Sequence, residues 1–391
     1  MKRSQFAVKL ALAAAALAPL AAGAQGSQGV SKSEVVVGTI QDLSGPIAAL
    51  GTHFRNGLQM RFDEVNAQGG IHGRKVTLVV EDSGYDPKKA VLAAQKLIQK
   101  DKVFAAISTL GSPVVMATMP LFLERDVLHL FPAAPIPPTY EPLHKYKFAN
   151  LPAYSVTTPL GVKYLVEKNG YKKVGIVYQD DDYGSDVLKG TEQTLKALNL
   201  PLCAKASYKR GATDFSSQVA TVKSAGCDFV VLGAVLREAA GLVGEARKTG
   251  WDVPMLATAA AYGAQLPELG GKATEGLYGI PLLPQPYADE KNKPLTDWIA
   301  AYKSRFGVDP NYYTVIAYVS ADLFVQAAQK AGPDLTNDSF AKSVQGLTRE
   351  PDFFGAPRYS FSTNDHLGTR AARVEQIRNG RWEKVTDYFN K

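Results

Sequence analysis

Residues 34–40 read Glu-Val-Val-Val-Gly-Thr-Ile, and this run of β-branched residues predicts a buried β-strand near the start of the fold. A glycine loop at 43–46 follows the strand, and apolar residues then recur at helical spacing. Further along, the sequence predicts a second strand at 76–80, a helix at 87–100 and a third strand at 103–107. Strands that alternate with helices are typical of βαβ units, so we expect a parallel sheet.

The same order of elements begins again near residue 172. Residues 174–178 predict a strand, and a polar loop at 180–184 leads from it into a helix. Two more strands are predicted at 203–208 and 229–232, and another helix at 237–249. Because strand, loop and helix recur in the same order, we expect two lobes of one α/β design that are related by internal duplication.

A third section begins at the proline-rich stretch 281–286 and contains two predicted helices and three short predicted strands. It cannot form a core alone, so we expect it to complete both lobes. The chain would then cross between the lobes more than once, which makes a hinge. Lobe 1 is predicted to comprise 33–150 plus 283–355, and lobe 2 to comprise 151–282 plus 356–391. The predicted fold class is α/β, with a parallel sheet in each lobe.

Residues 1–24 have the features of a secretory signal peptide. Lys2 and Arg3 provide a positive start, residues 6–22 are apolar and rich in alanine, and Ala22-Gly23-Ala24 supplies the small residues of a cleavage site. A membrane anchor is the alternative, but the apolar stretch is weak and is followed by this cleavage site. We therefore expect a mature protein that is exported to the periplasm.

The charge and cysteine content restrict the classes of partner. Removing residues 1–24 takes away three basic residues and lowers the formal net charge from +7 to +4. The remaining basic residues are scattered, whereas a nucleic-acid surface requires them to cluster, so we expect no nucleic-acid partner. Cys203 and Cys227 would lie in an oxidising compartment, where they either form a disulfide or remain two buried thiols. The sequence leaves both alternatives open.

Catalytic motifs are missing from the sequence. It contains no Gly-x-Ser-x-Gly elbow, no phosphate-binding or dinucleotide-binding glycine motif, and no paired histidines or cysteines at metal-ligand spacing. The five histidines are isolated, and the acidic run at 180–182 is typical of a solvated helix start. We therefore expect no catalytic residue, no metal, no cofactor and no enzymatic activity. A periplasmic hydrolase would need the nucleophile motif that the chain lacks.

Loops rich in glycine and other small residues follow the predicted strands. They lie at 44–45, 109–112, 132–134 and 182–184. In sheets of this type, ligands bind at the carboxyl ends of the strands. Two lobes that face each other with such loops predict a ligand-binding cleft closed by hinge motion.

The stretch 65–75 reads Val-Asn-Ala-Gln-Gly-Gly-Ile-His-Gly-Arg-Lys, and it is the most specific of several recognisable segments. The supporting segments are Leu43-Ser44-Gly45-Pro46, Gly51, Asp180–Gly184, Ala212–Phe215 and Arg378-Asn379-Gly380. In this order, along nearly the whole mature chain, they resemble solute-binding proteins of the leucine/isoleucine/valine type. The resemblance implies two Rossmann-like lobes joined by three crossovers, the class I periplasmic binding fold. It also implies a receptor, expected to be a monomer, that delivers a small molecule to a membrane ABC permease.

The resemblance also implies where ligand would bind, and this sequence departs from the family there. The family's carboxylate-binding serine corresponds to Gly111 or Ser112. Its threonine corresponds to Pro135, which offers neither a hydroxyl nor an N–H. Its acidic partner for an α-ammonium falls in Thr258–Ala261, which contains no carboxylate. Leu50 replaces an aromatic residue.

A buried ammonium without a counter-charge is costly, so this cleft is predicted to hold a ligand without one, namely a small apolar or aromatic carboxylate. Tyr183, where the family's aromatic residue is kept, would pack against the ligand, and Arg237 would bind its carboxylate. Each of these two residues has a structural alternative, a packed loop tyrosine or a surface arginine. The full predicted ligand-binding set is Leu50, Leu110, Gly111, Ser112, Ala133, Ala134, Pro135, Tyr183, Leu236, Arg237, Ala259 and Ala260.

Two other binding functions stay open at this stage. An ordinary branched-chain amino-acid receptor would require a carboxylate that reaches the cleft from elsewhere, such as that of Glu238. A module that presents its ligand to a membrane sensor instead of a transporter would have the same sequence features.

Overall fold

A computed structural model describes residues 27–389, so the predicted signal peptide lies outside the described residues. The first part of the chain contains β1 Glu34–Gln41, α1 Ala48–Ala67, β2 Lys75–Asp82, α2 Pro87–Gln99, β3 Ala105–Ile107, α3 Ser112–Leu123, β4 Leu128–Leu130 and β5 Lys147–Phe148. The middle part contains α4 Tyr154–Asn169, β6 Val174–Gln179, α5 Asp182–Ala197, β7 Lys205–Tyr208, α6 Ser216–Ser224, β8 Phe229–Gly233, α7 Leu236–Lys248, β9 Met255–Thr258, α8 Gln265–Gly270 and β10 Tyr278–Ile280. The last part contains α9 Lys293–Phe306, α10 Tyr312–Ala331, α11 Asn337–Val344, β11 Thr348–Arg349, β12 Tyr359–Ser360, β13 Glu375–Arg378 and β14 Arg381–Lys384.

Two sheets organise these elements, and both are built from βαβ units. The first sheet has the order β2-β1-β3-β4-β5, and all its strands are parallel. The second has the order β14-β13-β10-β9-β8-β6-β7 and is parallel from β10 to β7, while β13 and β14 add an antiparallel edge. The predicted α/β class with two parallel sheets is confirmed. No helix in the described part of the chain is long and apolar enough to cross a membrane.

Local sequence signals explain where several helices begin. Asp86 caps α2 by accepting hydrogen bonds from the amides of Lys88 and Lys89, and Pro87 occupies the first helical turn. Asn311 and Thr314 form a reciprocal capping box at the start of α10. These caps satisfy backbone groups that would otherwise lose their hydrogen bonds at a helix end.

The two lobes share one arrangement at the turn that follows the first strand of each lobe, β1 and β6. After β1, the Asp42 carboxylate accepts hydrogen bonds from three backbone amides of the turn, and after β6 the Asp181 carboxylate accepts two. A glycine then lets the next helix approach the strand end. A Cβ on Gly51 would lie 1.8 Å from the carbonyl oxygen of Asp42, and one on Gly184 would lie 1.9 Å from that of Gln179. This shared construction supports internal duplication.

The last section of the chain completes both lobes, and it does so mainly by packing on the first. Helix α10 lies against α1, where a Cβ on Gly57 would come within 2.4 Å of the Thr314 carbonyl oxygen. The chain passes between the lobes at three places, near 149–153, 281–285 and 369–372.

One predicted boundary is wrong. The sequence assigned everything after 355 to lobe 2, but β12 pairs with β11, and the amide of Gly368 donates to the carbonyl of Ala149 at the edge of the first sheet. The ring of Phe361 packs on Phe148, with 6.4 Å between centroids. A two-residue strand carries too little pattern to reveal its partner. The other lobe boundaries stay predictions.

Cys203 and Cys227 form a disulfide, with 5.8 Å between their Cα atoms. Each residue precedes a strand of the second sheet, β7 and β8, but these strands are separated by β6. The disulfide crosses β6 at Gly175, where a Cβ would lie 2.8 Å from the Cys227 sulfur. The glycine therefore provides the space through which the bond passes.

Replacing both cysteines by serine is expected to lower the free energy of unfolding by about 3 kcal/mol, because the bond closes a loop with a sequence separation of 24. Denaturant titration of the whole protein, oxidised and variant, measures the change in the free energy of unfolding. Dithiothreitol should destabilise the wild-type protein to a similar degree and leave the Cys203→Ser/Cys227→Ser variant unaffected. Equal stability of oxidised wild type and variant would contradict the expectation.

His129 lies in β4 at the centre of the first lobe and is completely buried. Neither ring nitrogen has a hydrogen-bond partner among residues 27–389. Burial, together with the smaller effect of the nearby Lys147 ammonium, lowers the pKa of His129 to about 3. In the unfolded chain a histidine has a pKa near about 6.5, so between these two values the unfolded state binds one more proton than the folded state.

Stability is therefore expected to fall as the pH falls from about 6.5 towards 3, by up to about 1.4 kcal/mol per pH unit from His129 alone. His129→Leu should reduce this slope, because an apolar side chain leaves no ring nitrogen to protonate. Chemical denaturation at several pH values between 4 and 7 measures it. His72→Gln, at an exposed histidine, serves as the control and should keep the wild-type slope.

Candidate functional site

A cavity lies between the lobes, where the loops after the carboxyl ends of the two sheets meet. It encompasses about 520 Å³ of space not filled by protein atoms, part of which is open to solvent. Its lining residues are mostly apolar or aromatic: Ile47, Leu50, Phe54, Tyr85, Leu110, Gly111, Ser112, Ala133, Pro135, Leu151, Tyr154, Tyr183, Val235, Ala259, Ala260, Leu282, Tyr312, Tyr313 and Ile316.

The first-lobe wall is formed where α3 begins. Gly111 is the N-cap of α3 and has φ +97°, a backbone conformation that suits glycine. A Cβ there would lie 2.5 Å from the Tyr85 ring, so glycine lets that ring enter the cavity wall. Ser112, the first residue of α3, contributes a hydroxyl at the positive end of the helix dipole.

The second-lobe wall is centred on Tyr183. Its hydroxyl donates to the Ala234 carbonyl at 3.0 Å and lies 2.6 Å from the Thr258 hydroxyl, so its hydrogen bonds are made within the protein. The Tyr154 ring meets Tyr183 edge-on, with 4.7 Å between centroids. Burial raises the pKa of both phenols well above the usual value, so both are neutral donors at physiological pH.

Helix α10 connects the two walls. The Tyr313 hydroxyl donates to the Ala260 carbonyl across the cleft at 3.1 Å, and its ring packs on Phe54 with 5.9 Å between centroids. The Tyr312 hydroxyl accepts from the amide of Leu282 at 3.3 Å. These contacts join residues of both lobes around one apolar space.

No charged side chain is among the cavity-lining residues of the described chain. Glu238 is buried nearby, but it does not line the cavity, and burial raises the pKa of its carboxyl. Its Oε1 lies 3.3 Å from the Arg237 guanidinium, while Oε2 is buried without a partner among residues 27–389. A ligand in this cavity would therefore meet neutral hydroxyls, backbone groups and aromatic rings.

The structure brings most of the predicted ligand-binding residues together. Nine line the cavity: Leu50, Leu110, Gly111, Ser112, Ala133, Pro135, Tyr183, Ala259 and Ala260. The other three, Ala134, Leu236 and Arg237, lie outside the lining. Whether the nine contact ligand stays a prediction.

The predicted carboxylate clamp at Arg237 does not fit the geometry. Val235, just before α7, lines the cavity, and α7 turns the next residues away from it. The Arg237 side chain is 51% exposed and pairs with Glu238, so its guanidinium is a surface group. The alternative of a surface arginine at a helix start is the one the structure supports.

Ten lining residues were not predicted from the sequence: Ile47, Phe54, Tyr85, Leu151, Tyr154, Val235, Leu282, Tyr312, Tyr313 and Ile316. Four are tyrosines, and a cluster of tyrosines near predicted loop and crossover segments was an available signal. Tyr85 follows β2, Tyr154 begins α4 and Tyr312 begins α10, so each lies where a strand ends or a helix begins.

Gly111→Ala is expected to destabilise the protein by about 1–3 kcal/mol, because the new Cβ would overlap the Tyr85 ring as well as strain the backbone. Gly332→Ala is the control, since Gly332 has φ +87° and ψ −178°, a backbone conformation that also favours glycine, but open space around it. Denaturant titration of both variants separates the effects. Equal losses would show that the Tyr85 contact contributes nothing.

Comparisons with known proteins match the chain over nearly its full length. The model of a family described as periplasmic binding protein matches residues 34–381. A leucine-, isoleucine-, valine-, threonine-, and alanine-binding protein of Pseudomonas aeruginosa is 24% identical over 351 residues, covering 90% of this chain and 91% of that protein.

Solved structures show the same architecture. The fatty acid ABC transporter substrate-binding protein of Thermomonospora curvata is 28% identical with a TM-score of 0.84, over 94% of this chain and 95% of that one. A solute-binding protein of an R. palustris ABC transporter, in complex with benzoate, is 18% identical with a TM-score of 0.80, over 92% and 98%. At that identity the second likeness shows the fold alone.

Proposed function

The chain belongs to the periplasmic binding protein family, and on that premise we propose that it captures a small apolar or aromatic carboxylate and delivers it to a membrane ABC permease. Members of this family are small-molecule receptors that work with such permeases. The observation that carries the proposed ligand class is the uncharged lining of the cavity between the lobes, which is mostly apolar or aromatic.

The lining favours a ligand without an ammonium group. An ammonium buried there would have no carboxylate partner, and leaving a charge unpaired costs several kcal/mol. A carboxylate fits better, because neutral donors and a helix N-terminus stabilise an anion. Ser112 and Tyr154, both of which line the cavity, carry hydroxyl groups.

The relatives support an apolar ligand and leave its chemistry open. The similar proteins include a substrate-binding protein for fatty acids, a solute-binding protein in complex with benzoate, and a protein named for binding leucine, isoleucine, valine, threonine and alanine. The amino-acid receptors support a second candidate function, namely uptake of leucine-like amino acids. The two candidates differ in one respect, which is whether the cavity tolerates an ammonium.

The proposal has further parts that rest on the family and the sequence. The protein binds its ligand unchanged and is not an enzyme, it acts as a monomer in the periplasm after removal of residues 1–24, and it has no nucleic-acid partner. Mass spectrometry of the small molecules carried by the purified protein tests the ligand class directly. A screen with ester and amide substrates tests for turnover.

Benzoate should bind more tightly than leucine, by roughly a thousandfold if an unpaired ammonium costs about 4 kcal/mol. Isothermal titration calorimetry with both compounds measures the difference. Arg237→Ala should leave the benzoate affinity within about twofold, because a half-exposed surface arginine outside the lining contributes little. Micromolar leucine binding without a benzoate response would overturn the proposal.

Ala260→Glu provides a second arm of the same titration. Ala260 lines the cavity in the second lobe, where a carboxylate would give a leucine ammonium its missing partner. The variant should gain affinity for leucine and lose affinity for benzoate, and Ala260→Gln controls for side-chain size without the charge. A matching response of the Glu and Gln variants would show that the absent charge does not determine selectivity.

A further inference from the structure

Tyr85 belongs to the first lobe but is held by residues of the second. It lies in the loop between β2 and α2, is buried, and lines the cavity. The Gln179 side-chain amide donates to its hydroxyl at 3.1 Å, and the Arg210 guanidinium donates to its backbone carbonyl at 2.9 Å. Both donors lie at the carboxyl ends of second-sheet strands, Gln179 in β6 and Arg210 just after β7.

Arg210 makes three kinds of contact at this position without lining the cavity. Besides the hydrogen bond to the Tyr85 carbonyl, its guanidinium carbon lies 5.4 Å from the centroid of the Tyr85 ring. Its Nε lies 3.7 Å from a carboxylate oxygen of Asp181, whose own side chain is 7% exposed. The arginine side chain is 32% exposed, so these contacts are only partly screened by water.

Asp181 extends the network to the second-lobe wall of the cavity. Its Oδ1 caps α5 by accepting from the amide of Tyr183, and its Oδ2 accepts from the Gln179 amide at 2.6 Å. Gln179 therefore connects the Tyr85 hydroxyl to the same carboxylate that Arg210 faces. The two cavity tyrosines, one from each lobe, are joined by these three polar side chains.

Tyr85 needs such support because its backbone is unfavourable. Its φ is +56°, in the left-handed region that residues other than glycine and asparagine rarely adopt. Residues in this region persist when their surroundings hold them there. The first lobe contributes by leaving space at Gly111 and by the Ser83 hydroxyl, which accepts from the Tyr85 amide at 3.2 Å.

We propose that Arg210 is a positioning residue of the ligand site, which holds Tyr85 in the cavity wall and so keeps the lobes closed over the ligand. The inference rests on the proposed function in treating this cavity as the ligand site. The Arg210–Tyr85 contacts join the lobes, so they form only when the lobes meet. Their loss shifts the population towards the open form.

The proposal makes a specific kinetic expectation. Ligand enters the open form, so the association rate should rise only in proportion to the increase in the open fraction of the ligand-free protein when Arg210 is replaced. Dissociation requires opening, so its rate should rise about tenfold, and affinity should fall by the ratio of the two changes. Because Arg210 does not line the cavity, the ratio of affinities for two ligands should stay as in the wild type.

The closed population can be measured without any ligand. Spin labels at Leu92→Cys on α2 and Leu269→Cys on α8, which are 67% and 60% exposed, report the distance between the lobes by double electron–electron resonance. The native cysteines are joined to each other and do not react. Arg210→Ala should move the distribution towards longer distances, and Arg210→Lys should partly restore it by keeping the charge beside Asp181.

Lys209→Ala is the matched control. Lys209 is the basic residue next to Arg210, but its side chain is 85% exposed and pairs with Asp180 at the surface. It should leave the distance distribution unchanged. Identical distributions for wild type and Arg210→Ala would overturn the proposal. Stopped-flow measurements with benzoate then resolve the two rates. If the protein does not bind benzoate but Arg210→Ala still lengthens the distances between the lobes, the result contradicts the proposed ligand class and leaves the role of Arg210 supported.

Discussion

Parallel strands joined by crossover helices have their following loops at a single edge of the sheet, and in this protein two such edges meet at one cavity. The arrangement follows from the three passages of the chain between the lobes, which connect the two sheets at the border of the cavity. Every other feature of the site depends on this constraint. Tyr183 follows β6, Ala259 follows β9 and Ser112 follows β3, yet all three line the same space.

The second consequence concerns charge. When the lobes close over a ligand, any ion held between them loses water and must be compensated by protein groups. Here the wall supplies tyrosine rings, small aliphatic side chains and hydroxyls, while Glu238 and Arg237 are paired with each other outside it. The same enclosure explains why one arginine behind the wall matters: it acts on the equilibrium between open and closed lobes, and not on the ligand.

Much of the architecture could be predicted from the sequence because it is encoded locally. The β-branched run of β1 and the caps of α2 and α10 are short-range signals that depend on neighbouring residues. Element order then restricted the topology to parallel sheets in two lobes. Nine cavity residues were predicted because they lie in glycine-rich loops at strand ends or match a family pattern. The two-residue strands β11 and β12 were beyond this reasoning, since so short a pattern does not determine its pairing partner.

The sequence by itself determined the α/β class, the repeated lobe design, the family and the loops that border the cleft, because periodicity and turn chemistry act over a few residues. Only the tertiary structure decided which side chains face the cavity. Val235 lines it and Arg237 does not, because the direction of a side chain depends on how α7 packs against the sheet. It also decided that Cys203 and Cys227 meet across β6, and that Tyr85 reaches Gln179 and Arg210, residues 94 and 125 positions away. Such contacts arise from packing between lobes, and no local pattern in the chain encodes them.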